Sequence, residues 1–333
     1  MRRDPGGSAV HKFSKQRMPM SSSSGGADQT SSASAKKSIP EPMSVQGFFG
    51  ICLYQIMKKP LLVPPEVRAC VYLCAVAALS VVFDLVPIPR IFLANKRSFW
   101  NLAFIKWGWA WTFVCLSFYI LFTSVVLTGQ SRTLMRKHLS RLLFGTAGWY
   151  VCTNAFHAVE NATGRCVSQP PKSVHIQGVT DRGDCQRQHN GVWLGFDISG
   201  HVFLLTWCNL VISEEVALLR DWTRLGGLLR EETETGGRRL TAELADRMWR
   251  LYQRHTFAVR CSAICLSCLS LLWDLMLCIT VAYFHSMPSK LVAALCSVAS
   301  WAVVYRLVLR QQNLSFVCPP GQSELKFISA PGS

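Results

Sequence analysis

Six runs of apolar residues, each close to the length of a membrane-crossing helix, constrain this chain more than any other feature. They extend from Ala69 to Val86, Phe104 to Leu127, Leu142 to Val159, Ile198 to Leu219, Phe257 to Phe284 and Leu291 to Leu309. A bilayer core offers no water to the backbone, so a segment of about twenty apolar residues crosses it as a helix that satisfies its own N–H and C=O groups. The predicted fold class is all-α, a polytopic membrane protein with about six transmembrane helices. Asp84 inside the first run and the brevity of the sixth make five the alternative count.

Composition supports a membrane class. Half of the 333 residues are hydrophobic, eleven are Trp and only 16% are charged, and the mean hydropathy is +0.23, far from the mix of a soluble enzyme of this size. The net charge of +16 would suit nucleic acid if the basic residues shared one domain face, but they fall in a polar tail and in short loops between apolar runs. That is the positive-inside pattern, and no nucleic-acid partner is expected. Most of the fourteen cysteines, such as Cys115, Cys152, Cys208, Cys265 and Cys268, lie inside apolar runs as packed thiols. Only Cys166 and Cys185 share a polar loop; they either bridge it in an oxidising lumen or remain two free thiols.

The chain divides by composition. Residues 1–45 are rich in Ser, Gly, Ala and Lys and too poor in apolar side chains to fold, which predicts a disordered cytosolic tail. This tail lacks the apolar core of a signal peptide, so insertion is expected to rely on an internal helix that is kept. Residues 46–60 are apolar but too short to span and are stopped by Lys58, Lys59 and Pro60, as an interfacial helix would be. Residues 61–310 form the transmembrane domain, and residues 311–333 a second cytosolic tail.

Loop charge orients the helices. The loop from Thr128 to Arg141 carries Arg132, Arg136, Lys137 and Arg141, and the loop from Arg220 to Thr256 carries eight arginines, which assigns both to the cytosol. Six spans then leave both termini cytosolic. The loop from Glu160 to Asp197, whose four acids balance four bases, faces the lumen with the segment from Pro87 to Ala103 and the turn from His285 to Lys290.

On this topology His201 starts the fourth helix and His285 ends the fifth at the same face of the bilayer. Asp197, Ser199 and Gly200 precede His201, and Lys96, Arg97 and Lys290 belong to the neighbouring turns. Phosphoryl transfer needs cations around the equatorial oxygens, a nucleophile and an acid for the leaving oxygen; histidines supply the last two. Ser199-Gly200-His201 at a helix start adds amides that favour an anion and a glycine that lets it approach. His157, His175 and His189 read as solvated or packed, and His138 and His255 face the cytosol. Glu214 and Glu215, near Arg220, read as members of a structural ion pair, whereas Asp274 inside the fifth helix suggests a hydrogen bond to another helix. Phosphate-binding Gly loops, paired zinc-type CxxC motifs, HExxH and GxSxG are all absent from the sequence. The sequon Asn161-Ala162-Thr163 adjoins the third helix, close to the membrane for modification.

Four segments together resemble the fat storage-inducing transmembrane family: Leu93-Ala94-Asn95-Lys96-Arg97; Lys106 to Phe113; Gly195 to His201 followed by Phe203 to Thr206; and Tyr283-Phe284-His285. Order and spacing match from about Ala69 to Tyr305, and the intact Ser-Gly-His is closer to the second of the two vertebrate paralogues. The resemblance implies a six-helix endoplasmic-reticulum membrane protein related to lipid phosphate phosphatases and needed for lipid-droplet budding. It further implies a diphosphatase that cuts fatty acyl-CoA on the luminal side into acyl 4'-phosphopantetheine and adenosine 3',5'-bisphosphate. By the same resemblance His201 is the acid for the leaving group and His285 the nucleophile. The related phosphatases carry an Asp four residues after the nucleophilic His, where this chain has Ser289. Asp197 is the substitute the sequence offers, with Ser199, Lys96, Arg97 or Lys290 left to bind phosphate or orient. Neither metal nor other cofactor is expected. The alternative reading is a non-enzymatic protein that partitions neutral lipids, diacylglycerol or triacylglycerol, using its apolar faces and a belt of Trp100, Trp107, Trp109 and Trp111.

Overall fold

The computed structural model describes residues 45–86, 89, 91, 92, 95, 99–168, 174–236, 239–311 and 316–323. Nearly all of the predicted N-terminal tail lies outside them. Among the described residues five helices are long and apolar enough to cross a membrane: Pro65–Leu85, Gly108–Leu127, Gly200–Glu234, Ala242–Tyr283 and Met287–Val308. The first of these, α2 (Pro65–Leu85), follows α1 (Val45–Leu61) and opens on Pro65 with Glu66 in its first turn. Proline at that position gives up an N–H that would have no helical partner, and the carboxylate complements the positive end of the helix.

The expected third span is the one that falls short. It forms α5 (Arg141–Thr163), a helix of 23 residues that is long enough to cross but is not among the five apolar ones. Thr146, Thr153, Asn154 and His157 interrupt its apolar surface. The doubtful first and sixth runs both qualify, so the six-span count rests on α5.

At the centre of the bundle is α7 (Gly200–Glu215), whose residues from Val202 to Glu215 are all buried against α3 (Gly108–Leu127), α9 (Ala242–Tyr283) and α10 (Met287–Trp301). Lipid tails are as apolar as Leu, so packing and interhelical hydrogen bonds hold such helices together. Asp274 supplies the main knot: its Oδ1 accepts from the Tyr72 hydroxyl of α2 at 2.6 Å and from Asn209 Nδ2 of α7 at 2.8 Å. Ser270 donates to Asn209 Oδ1 at 2.7 Å, and Trp273 Nε1 reaches Thr112 of α3 at 3.1 Å. Trp109 belongs to this interior, stacked on Trp149 at 6.4 Å and buried, so of the expected belt Trp107 and Trp111 are the residues seen exposed.

The arginine-rich segment expected as a loop is folded. After the 3-10 turn Val216–Arg220 come α8 (Trp222–Glu234) and then α9, whose 42 residues span roughly 63 Å, about twice a bilayer core. Tyr252 of α9 stacks on Trp222 at 5.2 Å and on Trp249 at 5.8 Å. Gly226 permits the fit, because a Cβ there would lie 2.4 Å from the Tyr252 ring.

The glutamates at the end of α7 do form ion pairs, but not with Arg220, which donates to the Leu62 carbonyl at 2.9 Å. Glu215 takes a bidentate contact from Arg141, 2.7 Å at the closest, and the Tyr305 hydroxyl at 3.1 Å. Glu214 pairs with Arg306 at 2.6 Å and accepts from Trp301 at 3.1 Å. Arg141 also reaches His138 of α4 (Arg132–Leu139) at 2.9 Å and the Cys318 carbonyl at 3.2 Å.

Candidate active site

At the opposite end of α7 the described residues between α5 and α7 form a small cap. Strands β1 (Arg165–Val167) and β2 (Val192–Leu194) pair antiparallel, Cys166 facing Trp193. Cys166 is disulfide-bonded to Cys185 of α6 (Arg182–Gln188). After β2 the backbone runs tight against the end of α5: Phe196 N donates to Thr163 Oγ1 at 2.9 Å, and a Cβ on Gly195 would fall 2.4 Å from the Glu160 carbonyl oxygen. Glycine there lets the chain pass and sets the position of Asp197.

Ser199 is the N-cap of α7. Its hydroxyl accepts from Val202 N at 3.4 Å and its carbonyl from Phe203 N at 3.1 Å, which meets backbone donors that a helix start leaves unpaired. Ser199 is fully buried by these contacts, so it shapes the helix start rather than lining an open site. His201 follows in the first turn, exposed, and a Cβ at Gly200 would meet open space. The first turn of α7 thus offers a free approach beside an imidazole.

The facing wall is the turn between α9 and α10, which holds His285 in the left-handed region at φ +61°. Non-glycine residues there are uncommon, histidine less so than most, and a surrounding that over-determines the turn is needed to keep one. The surroundings are specific. Asp197 Oδ2 lies 3.3 Å from His285 Nδ1. The Ser289 hydroxyl donates to the Asp197 carbonyl, and Ser199 N donates to the Ser289 carbonyl at 3.4 Å. The segment carrying His201 is therefore stitched to the turn carrying His285, with Asp197 between them.

Lys290 follows in the first turn of α10 but does not face the open side. The residue is 1% exposed, and its ammonium donates to the Val281 carbonyl at 3.0 Å and to Asp84 at 3.4 Å. A phosphate-binding role would require this buried cation to leave both partners. Its position instead caps the last carbonyls of α9 and ties them to the end of α2, the favourable place for a cation on a helix C-terminus. Neither Lys290 nor the contacts of Asp84 could be read from charge alone, which gives no sign of burial. Lys96 and Arg97 lie outside the described residues. His157 is exposed near Glu160 at 3.9 Å, and His175 and His189 are exposed in the cap. Among the described residues no group of three or more His, Cys, Asp or Glu is arranged to hold a metal ion.

The family model for the fat storage-inducing transmembrane protein matches residues 89–305. Acyl-coenzyme A diphosphatase FITM2 of Drosophila melanogaster is 30% identical over 294 residues, 85% of this chain and 67% of the relative. The human protein of the same name is 36% identical over 229 residues, 68% of this chain and 76% of the relative, and that of Danio rerio 28% over 220 residues, 66% and 75%. No solved structure matches. The matched region takes in α3, α5, α7 and both histidine segments, and the chain belongs to the fat storage-inducing transmembrane protein family.

Proposed function

We propose that this chain is a fatty acyl-CoA diphosphatase of the endoplasmic-reticulum membrane, acting on the luminal side and supporting lipid-droplet formation. The observation that carries the reading is the Asp197–His285 contact at 3.3 Å, set beside the helix start that presents His201. The relatives' shared name supports the reaction.

The contact of Asp197 with His285 supports the role proposed for that imidazole. A carboxylate on Nδ1 keeps the proton there, leaves the lone pair on Nε2 and stabilises the charge that builds on the ring when Nε2 attacks. His285 Nε2 attacks one phosphorus of the pyrophosphate and forms an N–P bond as the anhydride P–O bond breaks. His201 gives its proton to the departing phosphate oxygen, then takes one from the water that hydrolyses the N–P bond. The products are acyl 4'-phosphopantetheine and adenosine 3',5'-bisphosphate. Lys96 and Arg97 are the cations the proposal leaves for the substrate phosphates, since Lys290 is committed to Asp84 and Val281.

The cap supports a luminal site: a disulfide between Cys166 and Cys185 belongs in an oxidising compartment. The basic segments at the other end of α7 and α9 belong to the cytosol. With α5 as a sixth span, both termini are cytosolic. The test is to incubate purified protein with oleoyl-CoA and follow both products by mass spectrometry. Equimolar release supports the reading; an inert protein, or release of free CoA and fatty acid, removes it.

A further inference from the structure

At the Glu215 end of α7, away from His201, the described residues surround a half-open cavity of about 830 Å³. Thr128 at the end of α3, Lys137 and His138 of α4, and Arg310 and Gln311 just past the last span contribute to its wall. Residues from the segment 316–323 complete it. That segment is pinned at three points: Ser140 Oγ donates to the Phe316 carbonyl at 3.0 Å, Arg141 to the Cys318 carbonyl at 3.2 Å, and Ser323 Oγ to the Leu127 carbonyl at 2.9 Å. Phe316 also stacks on Phe144 of α5 at 6.1 Å. The cavity is therefore preformed, and its volume is that of a site for a small-molecule group.

Its charge has one sign. Lys137 and Arg310 line it, and no Asp or Glu is among the described residues that do. Behind the wall Glu215 is matched by Arg141, whose Nη1 also meets His138 at 2.9 Å, so the buried pair cancels and the cavity stays cationic. Ammonium and guanidinium groups without a competing carboxylate favour an anion, and a phosphate ester accepts hydrogen bonds from both. Leu127 and Leu309, where two apolar runs end, line the same cavity. A soluble phosphate would leave those leucines uncovered, whereas a lipid brings a phosphate and hydrocarbon together.

We propose that this cavity binds the phosphate-ester headgroup of an anionic lipid, with Lys137 and Arg310 on the phosphate and Leu127 and Leu309 against the start of the acyl chains. On the orientation given above the lipid belongs to the cytosolic leaflet, where anionic lipids are held by basic pockets between the ends of spans. Attraction of a basic surface to a bilayer would need no cavity. Arg132 and Arg136 of the same helix are exposed and do not line it, which separates the two causes.

The test is native mass spectrometry of the full-length protein in detergent, with phosphatidylinositol or phosphatidylcholine added. Wild type should retain phosphatidylinositol about tenfold better or more. Lys137→Gln with Arg310→Gln should lose about tenfold or more of that binding, whereas Arg132→Gln with Arg136→Gln, which removes the same charge from outside the cavity, should stay within about twofold. Equal losses in the two double variants, or no preference for phosphatidylinositol in wild type, overturn the proposal. Hydrogen exchange on wild type needs no variant: phosphatidylinositol should slow exchange in peptides covering residues 134–138 and 316–323, and unchanged exchange there refutes the cavity. Glycerophosphoinositol, the same headgroup without acyl chains, should compete about tenfold more weakly than the lipid or worse; equal competition refutes a lipid as the occupant. None of these readouts involves turnover, so their failure and that of the diphosphatase reading are distinct.

Discussion

Replacing Asp197 with Asn probes the pairing on which the proposed chemistry depends. The substitution keeps size and shape but removes the charge 3.3 Å from His285 Nδ1, and an amide can offer N–H where an acceptor is required. The carboxylate is 60% exposed and the imidazole 23%, so the effective dielectric lies between that of water and that of a protein surface site. Coulomb energies across 3.3 Å then run from about 1.3 kcal/mol at a dielectric of about 80 to about 5 kcal/mol at about 20. At about 1.36 kcal/mol per decade these bracket losses of roughly tenfold to several thousandfold, centred near a hundredfold. Because positive charge on His285 is greatest in the transition state, the loss should appear in kcat and kcat/KM together, with KM little moved. Steady-state kinetics on oleoyl-CoA, at matched melting temperature, measure it. An Asp197→Asn protein with wild-type kcat would refute the pairing argument, and a rise in KM alone would reassign Asp197 to binding.

Three other outcomes follow from named contacts. Arg141→Met leaves Glu215 buried without its cation and should lower the apparent melting temperature in detergent by roughly 5–15 °C, while Arg141→Met with Glu215→Met recovers much of that; a fall under about 2 °C would contradict a buried pair. Burial, reinforced by the Arg141 guanidinium, lowers the His138 pKa to about 3. An unfolded histidine titrates near 6.5, so the unfolded chain binds more protons between those values, and the contribution of this site is present above about pH 6.5 and lost as pH falls toward 3. Wild type should lose about 2 kcal/mol more than His138→Gln between pH 6.5 and 5, read as the difference in melting temperature; equal losses would contradict the buried neutral imidazole. Alkylation before and after reduction should expose two further thiols, in peptides holding Cys166 and Cys185, and labelling of both without reductant would rule out the bridge.

Much of the architecture was legible because hydrophobic length is a local property. The runs at α2, α3, α7, α9 and α10 needed only a count of apolar residues against the thickness of a bilayer. What depended on partners distant in sequence was not. Arg220 lies five residues from Glu215, yet Arg141, seventy-four residues away, holds it, because helix packing rather than sequence proximity chooses the partner. Lys290 looked like a phosphate ligand because sequence shows its charge and not its burial against Val281 and Asp84. The extension of α9 was hidden by its arginines, whose side chains stay exposed while Tyr252 packs under Trp222. The contact of Asp197 with His285 was one option among several in the sequence; the stitch through Ser289 gives it a structural cause.

The most direct test of the central claim is the release of adenosine 3',5'-bisphosphate from oleoyl-CoA by His201→Ala and His285→Ala beside wild type, at equal thermal stability in the same detergent. The account predicts that wild type releases product and that each variant retains less than about a hundredth of its rate. Either variant working at the wild-type rate while folded would contradict it.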